Sequence, residues 1–186
     1  MGAVTRGNPL VRFLISRFDF LFRFFYCRMK FYRAVDFLMP RLYSSNYESL
    51  NSYFEIMAGA LKKHKFKIKG KRVLELGPGN SYINAYNFLR SGASGVVLVD
   101  KFPRYTDTAR QKSYIKDEIV YFQTKHGVKR FEYVDEATCC LNPECITFIA
   151  GDLCECDIDG KVDFIYSIAV LHHIKGLDRY IRRMHE

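Results

Sequence analysis

The chain has 186 residues, of which 48% are hydrophobic and 26% charged, values that are ordinary for a single globular domain with a real core. Its net charge is +9, yet residues 1–72 carry 15 Lys and Arg against 4 Asp and Glu, whereas residues 73–186 carry 14 against 16. The basic character therefore belongs to the N-terminal third, which argues against a nucleic-acid groove on the rest of the chain.

The N-terminal segment, residues 10–33, is apolar and aromatic but repeatedly interrupted by arginines. Because a membrane-spanning helix needs about 20 largely uncharged residues, the segment does not predict one. Two interpretations stay open: a helix that packs on the domain or on a partner subunit, and a helix that lies on a membrane surface. The first residues also lack the apolar core of a secretory signal, so we expect a cytoplasmic protein, with peripheral membrane contact as the open possibility.

A break at Pro40 precedes a second helical pattern over residues 47–62. The apolar residues that recur on one face of this helix are Leu50, Phe54, Met57 and Leu61. A lysine-rich connector follows and ends at Gly70. We divide the chain into a basic and aromatic N-terminal helical extension, residues 1–67, and a second domain, residues 68–186.

From residue 72 onward, short continuous apolar runs alternate with helical patterns. Strands are predicted at 72–76, 96–100, 146–150 and 162–167, and helices near 81–91, near 105–125 and from Leu177 to the end. This order predicts an α/β fold, a Rossmann-like doubly wound parallel sheet with helices on both faces. Ligands of such sheets bind at the carboxyl ends of the strands.

A glycine turn follows the first of these strands, in Val73–Ser81. The fingerprint for a dinucleotide needs a third glycine, and Tyr82 stands at that position. Glu75 is also awkward beside a pyrophosphate, whereas it suits a ligand that carries positive charge. An NAD-dependent enzyme is therefore only a second alternative.

These motifs resemble the class I S-adenosylmethionine-dependent methyltransferases. The acid and glycines of the family's first motif match Glu75–Ser81, the acid after the second strand matches Asp100, and the motif after the third strand matches Gly151–Leu153. The segment Asp163–Ile174 is similar to the loop after the fourth strand of the family's small-molecule enzymes. The cofactor-binding residues that the resemblance implies are Glu75, Gly77, Pro78, Gly79, Ser81, Asp100, Lys101, Asp152, Leu153 and Ser167.

The resemblance covers roughly residues 68–186 and implies a transferase that uses S-adenosyl-L-methionine. His172 is the candidate general base. The resemblance favours a small-molecule, lipid or glycan-type acceptor and no nucleic acid. The alternative is a non-catalytic module that binds the cofactor without turnover.

Two departures from the family pattern stand out. Asp100 and Asp152 lie 52 residues apart, which predicts an insertion around residues 120–145 with an extra strand at Val128–Val134. The family's sheet has seven strands and only four are predicted here, so we expect a C-terminally truncated domain whose activity alone is uncertain.

Six cysteines are present, five of them within residues 139–156. Four thiolates from Cys139–Cys145 and Cys154–Cys156 would suit zinc, but their spacing is not that of a paired zinc motif. We favour ordinary reduced cysteines and predict no metal site.

Overall fold

Four apolar segments form parallel strands in the computed structural model, which describes residues 46–79, 81–101 and 109–185. The strands are β1 (Arg72–Leu76), β2 (Gly95–Asp100), β3 (Ile146–Ala150) and β4 (Phe164–Tyr166). The helices are α1 (Tyr47–Lys63), α2 (Ile83–Arg90), α3 (Ala109–His126) and α4 (Leu177–His185), with a 3-10 helix at Leu171–His173. Three parts of the sequence predictions lie outside the described residues: the segment 10–33, Cys27, and residues 105–108 at the start of the helix predicted near 105–125.

The described strands form one parallel sheet in the order β3–β2–β1–β4. This order confirms the predicted Rossmann-like α/β fold, because the chain leaves β1 in one direction to build β2 and β3 and returns past β1 to build β4. The register pairs Leu76 with Val99 and Asp100 with Ala150. The carboxyl ends of β1, β2 and β3 are therefore level with one another at one edge of the sheet.

The sheet separates two apolar layers. Side chains alternate along a strand, so Val73 faces one layer while Leu74 and Leu76 face the other. The first layer packs against α1, α2 and α3, and its largest fully buried side chains are Tyr86, Phe88 and Phe122. Tyr180 and Met184 of α4 cover the second layer.

Helix α1 packs on the first layer as its periodicity predicts. Phe54 is buried against Phe88, with ring centroids 5.0 Å apart at 90°, and Leu50, Met57 and Leu61 pack around it. Asn46 caps the start of α1, since its side chain accepts a hydrogen bond from the Ser49 N–H. Residues 47–63 thus lie in the same compact unit as the sheet, which runs from Ser45 to Glu186, although the sequence assigned them to the N-terminal extension.

The predicted extra strand at Val128–Val134 is wrong. Among the described residues of this insertion, the strand-like pairing is one antiparallel bridge between Val134 and Leu141. Phe131 is instead buried against Tyr86, with ring centroids 4.9 Å apart, so the insertion folds as a loop that covers the aromatic core. The fourth strand is also shorter than predicted, at Phe164–Tyr166 rather than 162–167.

None of the helices in the described part of the chain is both long and apolar enough to cross a bilayer.

Candidate functional site

The carboxyl edge of the sheet is held together by backbone hydrogen bonds that continue beyond the strands. The Gly77 N–H donates to the Val99 carbonyl at 2.8 Å, and the Gly151 N–H donates to the Asp100 carbonyl at 3.0 Å. The segments that follow β1, β2 and β3 therefore start side by side. The predicted site residues on these segments share one edge of the molecule.

Two glycines shape the turn after β1, and each is required for a different reason. Gly77 and Gly79 both have a left-handed backbone, with φ of +73° and +68°, which a side chain disfavours. A Cβ on Gly77 would also lie 2.4 Å from Cγ2 of Val170, whereas a Cβ on Gly79 would meet no atom of the described residues within 4 Å. Gly77 is needed for packing against the segment after β4, and Gly79 borders space that the described residues leave open.

Asp100, the last residue of β2, reaches this turn. Its Oδ2 accepts a hydrogen bond from the Gly79 N–H at 3.3 Å. Pro78, between the two glycines, is partly exposed. The acid and the glycine turn, which the sequence paired by motif alone, are thus in contact across adjacent strands.

Glu75 lies beneath the turn and is 2% exposed. Burial raises its pKa to about 7; hydrogen bonds from Tyr166 and Asn84 oppose this rise, and the nearby Asp100 adds to it. The Tyr166 hydroxyl donates to Glu75 Oε2 at 2.7 Å. Tyr166 is buried in the first apolar layer, and it also partners the acid.

The segment after β4 closes the site on the side away from β2. The Ser167 hydroxyl donates to the Leu76 carbonyl at 2.9 Å, which joins the end of β4 to the start of the glycine turn. The 3-10 helix then carries His172, whose side chain lies outside the part that the structure describes. The role of His172 as a base stays a prediction.

Asp152 contacts protein groups on three sides. It is 8% exposed, and its carboxylate accepts from Lys101 Nζ at 2.7 Å and from the Cys154 N–H at 2.9 Å. Burial alone would raise the pKa of Asp152, but the hydrogen bonds from Lys101 and Tyr180 lower it to about 2. Two predicted site residues, Lys101 and Asp152, therefore pair with each other, and Leu153 beside them is buried in the second apolar layer.

Sequence reasoning missed Glu118, which lies under the start of α2. Glu118 is fully buried, and its Oε2 accepts from the Tyr82 N–H at 3.3 Å. Burial raises its pKa to about 8, while interactions with Ser81, the Tyr82 N–H and Tyr86 oppose the rise. The signal was present in the sequence, because Glu118 shares the buried face of α3 with Ile115, Ile119 and Phe122.

Tyr82 stands where a dinucleotide-binding turn has its third glycine. Its ring is 2% exposed and packs edge-on against Tyr86 and Phe148. The Ile83 N–H, next along the chain, is 3.4 Å from the hydroxyl of Ser81. The backbone donors of residues 82 and 83 are thus engaged by protein groups, and Tyr82 fills the space against the sheet.

The five cysteines at 139, 140, 145, 154 and 156 are free thiols. Cys139 is buried, whereas Cys140 is exposed. In the described ranges, His, Cys, Asp and Glu side chains form no cluster that could hold a metal ion. Burial raises the pKa of Cys145, Cys154 and Cys156, which keeps these thiols protonated and unreactive at neutral pH.

No protein-family model matches the chain, and no curated protein matches it. Several solved structures do. An S-adenosylmethionine-dependent methyltransferase from Mesorhizobium loti is 20% identical with a TM-score of 0.39, and the match covers 68% of this chain and 45% of that one.

Two further matches are a proposed RNA methyltransferase from Pyrococcus horikoshii and protein arginine methyltransferase 10 from Arabidopsis thaliana. The first is 18% identical with a TM-score of 0.37, covering 72% of this chain and 50% of that one. The second is also 18% identical, with a TM-score of 0.35, covering 67% and 27%. The chain therefore spans half or less of the length of these structures. The fold assignment rests on strand order and register, and the three solved structures described above are named as methyltransferases.

Proposed function

We propose that the chain binds S-adenosyl-L-methionine at the carboxyl edge of the sheet and transfers its methyl group to an acceptor. The observation that carries this proposal is the contact between the glycine turn and the acid that ends β2, Gly79 N–H to Asp100 Oδ2 at 3.3 Å. Among the described residues the space in front of Gly79 is open, since a Cβ there would meet none of their atoms within 4 Å. An acid beside an open glycine turn suits a nucleoside whose ribose hydroxyls need acceptors.

The residues at this edge fit such a cofactor chemically. The Asp100 carboxylate can accept both ribose hydroxyls, and Gly77 and Gly79 let the backbone approach the ligand closely. Glu75, when ionised, complements a positively charged ligand from below the turn. Pro78 and Ser81 would contribute through the backbone of the same turn.

Asp152, Lys101 and Leu153 would form the adenine end of the site. Three donors already use the Asp152 carboxylate, namely Lys101, Tyr180 and the Cys154 N–H. Because a carboxylate offers about four acceptor positions, one is left for an adenine amino group. The ion pair with Lys101 would hold the acid in place for that contact.

When bound, S-adenosylmethionine supplies a methyl group on a positively charged sulfur, which a nucleophile of the acceptor takes up. The chain would contribute mainly position: the glycine turn, Asp100 and Ser167 hold the reacting end in one orientation. His172 would remove a proton from the acceptor if that acceptor is a hydroxyl or a protonated amine.

For the acceptor we propose a small molecule, a lipid or a glycan intermediate rather than a nucleic acid. The support is the charge distribution, because the half of the chain that carries the site has 14 Lys and Arg against 16 Asp and Glu and would not attract a polyanion. The basic and aromatic segment 10–33 would bring a cytoplasmic protein to an acceptor at a membrane surface.

The test of cofactor binding is calorimetric titration with S-adenosylhomocysteine. We expect wild type to bind and Asp100→Ala to bind at least tenfold more weakly, since a charged hydrogen bond contributes about 1.5–3 kcal/mol. Asp157→Ala is the matched control, because Asp157 is an exposed acid on the loop after β3. A folded wild-type chain that does not bind, or equal loss in both variants, would contradict the proposal.

The test of the acceptor is transfer of a radiolabelled methyl group into a fractionated cell extract. Label in the small-molecule or lipid fraction would support the proposed acceptor, and label in protein or nucleic acid would overturn it. Binding without any transfer would favour the alternative of a non-catalytic cofactor-binding module. An NAD-dependent enzyme is disfavoured by the buried Tyr82 and would be supported only by retention of NADH.

A further inference from the structure

A buried acid outside the edge of the sheet contacts the far end of the glycine turn. Glu118 projects from the middle of α3 and is fully buried. Its Oε2 accepts from the Tyr82 N–H at 3.3 Å, a contact between residues 36 positions apart in the chain. The turn that begins at Gly77 is thus joined to β2 at its start, through the Val99 carbonyl, and to α3 at its end, through Glu118.

The contacts of Glu118 concentrate on this end of the turn. The hydroxyls of Ser81 and Tyr86 lie close enough to its carboxyl to favour the ionised form. Within the described part of the chain, however, Glu118 Oε1 and the Tyr86 hydroxyl make no hydrogen bond of ordinary geometry. The hydrogen bond from the Tyr82 N–H, at 3.3 Å, is thus the contact by which Glu118 Oε2 holds the backbone of the turn.

A buried carboxyl costs stability unless its environment compensates it. The apolar neighbours on the same face of α3 show that a large aliphatic or aromatic side chain fits this layer, as Ile115, Ile119 and Phe122 do. The presence of an acid in this layer is explained by its hydrogen bond to the Tyr82 N–H, which holds the backbone at Ser81–Tyr82.

We propose that Glu118 is a positioning residue for the cofactor-binding turn: its carboxyl anchors the Tyr82 N–H and so fixes where the turn from Gly77 to Ser81 lies relative to Asp100. This inference rests on the proposed function, since it assigns the turn to the cofactor. Glu118 acts through the backbone of Tyr82 and does not itself contact the ligand.

The role depends on an oxygen acceptor at the right distance from the Tyr82 N–H, and three substitutions test that distance. Glu118→Gln keeps an oxygen at the same distance and removes the titratable group, whereas Glu118→Asp keeps a carboxyl group and withdraws it by one methylene. Glu118→Met keeps the approximate volume and removes the acceptor. An unpaired buried N–H is costly. We therefore expect Glu118→Asp and Glu118→Met to bind S-adenosylhomocysteine about tenfold more weakly than wild type, and the affinity of Glu118→Gln to stay within about threefold of wild type.

Phe122→Leu is the control for a purely structural effect. Phe122 lies one turn further along the same face of α3 and packs against Tyr86, with ring centroids 5.7 Å apart, but it makes no measured contact with the glycine turn in the described chain. It should lower the unfolding temperature, because the smaller side chain leaves space in the aromatic core, and leave the affinity for S-adenosylhomocysteine unchanged.

Calorimetric titration of these variants, with thermal unfolding of each measured by circular dichroism, decides the matter. Loss of affinity in Glu118→Asp and Glu118→Met, with affinity retained in Glu118→Gln, supports the positioning role. Equal affinity in all Glu118 variants that fold, or equal losses in Phe122→Leu, overturns it. A wild-type chain that folds but does not bind would instead refute the proposed function, so the two failures are distinguishable. If Glu118→Met does not fold, the comparison of Glu118→Asp with Glu118→Gln still tests the role.

Discussion

Gly79 offers the sharpest test of where the cofactor lies, because the chain contains a glycine of nearly identical backbone elsewhere. Gly79 has φ of +68° and Gly127, at the end of α3, has φ of +65°. In the part of the chain that the structure describes, a Cβ on either would meet no atom within 4 Å. Alanine at each position therefore introduces the same backbone strain and no clash.

The expected loss of stability follows from this geometry. A side chain in the left-handed region costs about 1–2 kcal/mol, which corresponds to a fall in unfolding temperature of about 3–8 °C for a domain of this size. Both Gly79→Ala and Gly127→Ala should show it. Only the alanine at 79 would enter the open space beside Asp100, and we expect it alone to weaken binding of S-adenosylhomocysteine, by at least tenfold, or about 1.4 kcal/mol.

The assays are thermal unfolding by circular dichroism and calorimetric titration of the two variants beside wild type. Unchanged affinity in a folded Gly79→Ala protein would refute the reasoning, because the space in front of Gly79 would then not hold the ligand. An equal loss of affinity in Gly127→Ala would refute it differently, by showing that lost stability alone weakens binding.

Two further predictions concern the same edge of the sheet. Gly77→Ala should destabilise the fold by more than Gly79→Ala, since its Cβ would lie 2.4 Å from Val170 Cγ2. Adding Val170→Ala to Gly77→Ala should recover part of the lost free energy of unfolding, measured by denaturant unfolding. If the double variant recovers nothing, this clash is not the cause. The pKa of Glu75 is raised to about 7 in the folded state, whereas the unfolded state releases the same proton near pH 4.5. The folded state therefore binds more protons between pH 4.5 and 7. This group makes the free energy of unfolding fall over that range as pH rises, by about 3 kcal/mol in all. Denaturant unfolding at pH 5 and pH 8 should show a smaller fall for Glu75→Gln than for wild type, and an identical pH dependence would contradict the assignment.

The sheet could be predicted because its strands are buried on both faces. Every residue of Val73–Leu76 and Val96–Val99 is buried, and all of them except Glu75 are apolar. Such runs specify parallel strands under helices almost by themselves. The strand ends followed directly, and with them the position of Asp100 beside the glycine turn.

The insertion could not be predicted in the same way. Val128–Val134 has the β-branched and aromatic residues of a strand, but a strand also needs a partner edge, and the pattern does not say whether one is near. Phe131 and Val134 find their burial in the aromatic core, so tertiary packing overrides the local preference.

The hydrogen-bond partners of the acidic residues could not be predicted from the sequence for a related reason. Lys101 reaches Asp152 because the register pairs Asp100 with Ala150, and Glu118 reaches Tyr82 because α3 packs over the start of α2. Residue types at strand ends and on helix faces limit the candidates. The pairing itself depends on register and on packing between segments that are distant in the chain.

Glu75 and Glu118 are two acids in the described core that stability alone would not select. Both are buried, and burial raises the pKa of each, so each costs stability at neutral pH relative to an uncharged side chain of equal size. Departures of this kind concentrate at functional sites, where stability is given up for activity. Glu75→Gln separates the two contributions, because it should make the protein more stable at pH 8 and bind a positively charged cofactor less tightly. A variant that gained stability and kept full affinity would show that Glu75 serves only the hydrogen bond from Tyr166.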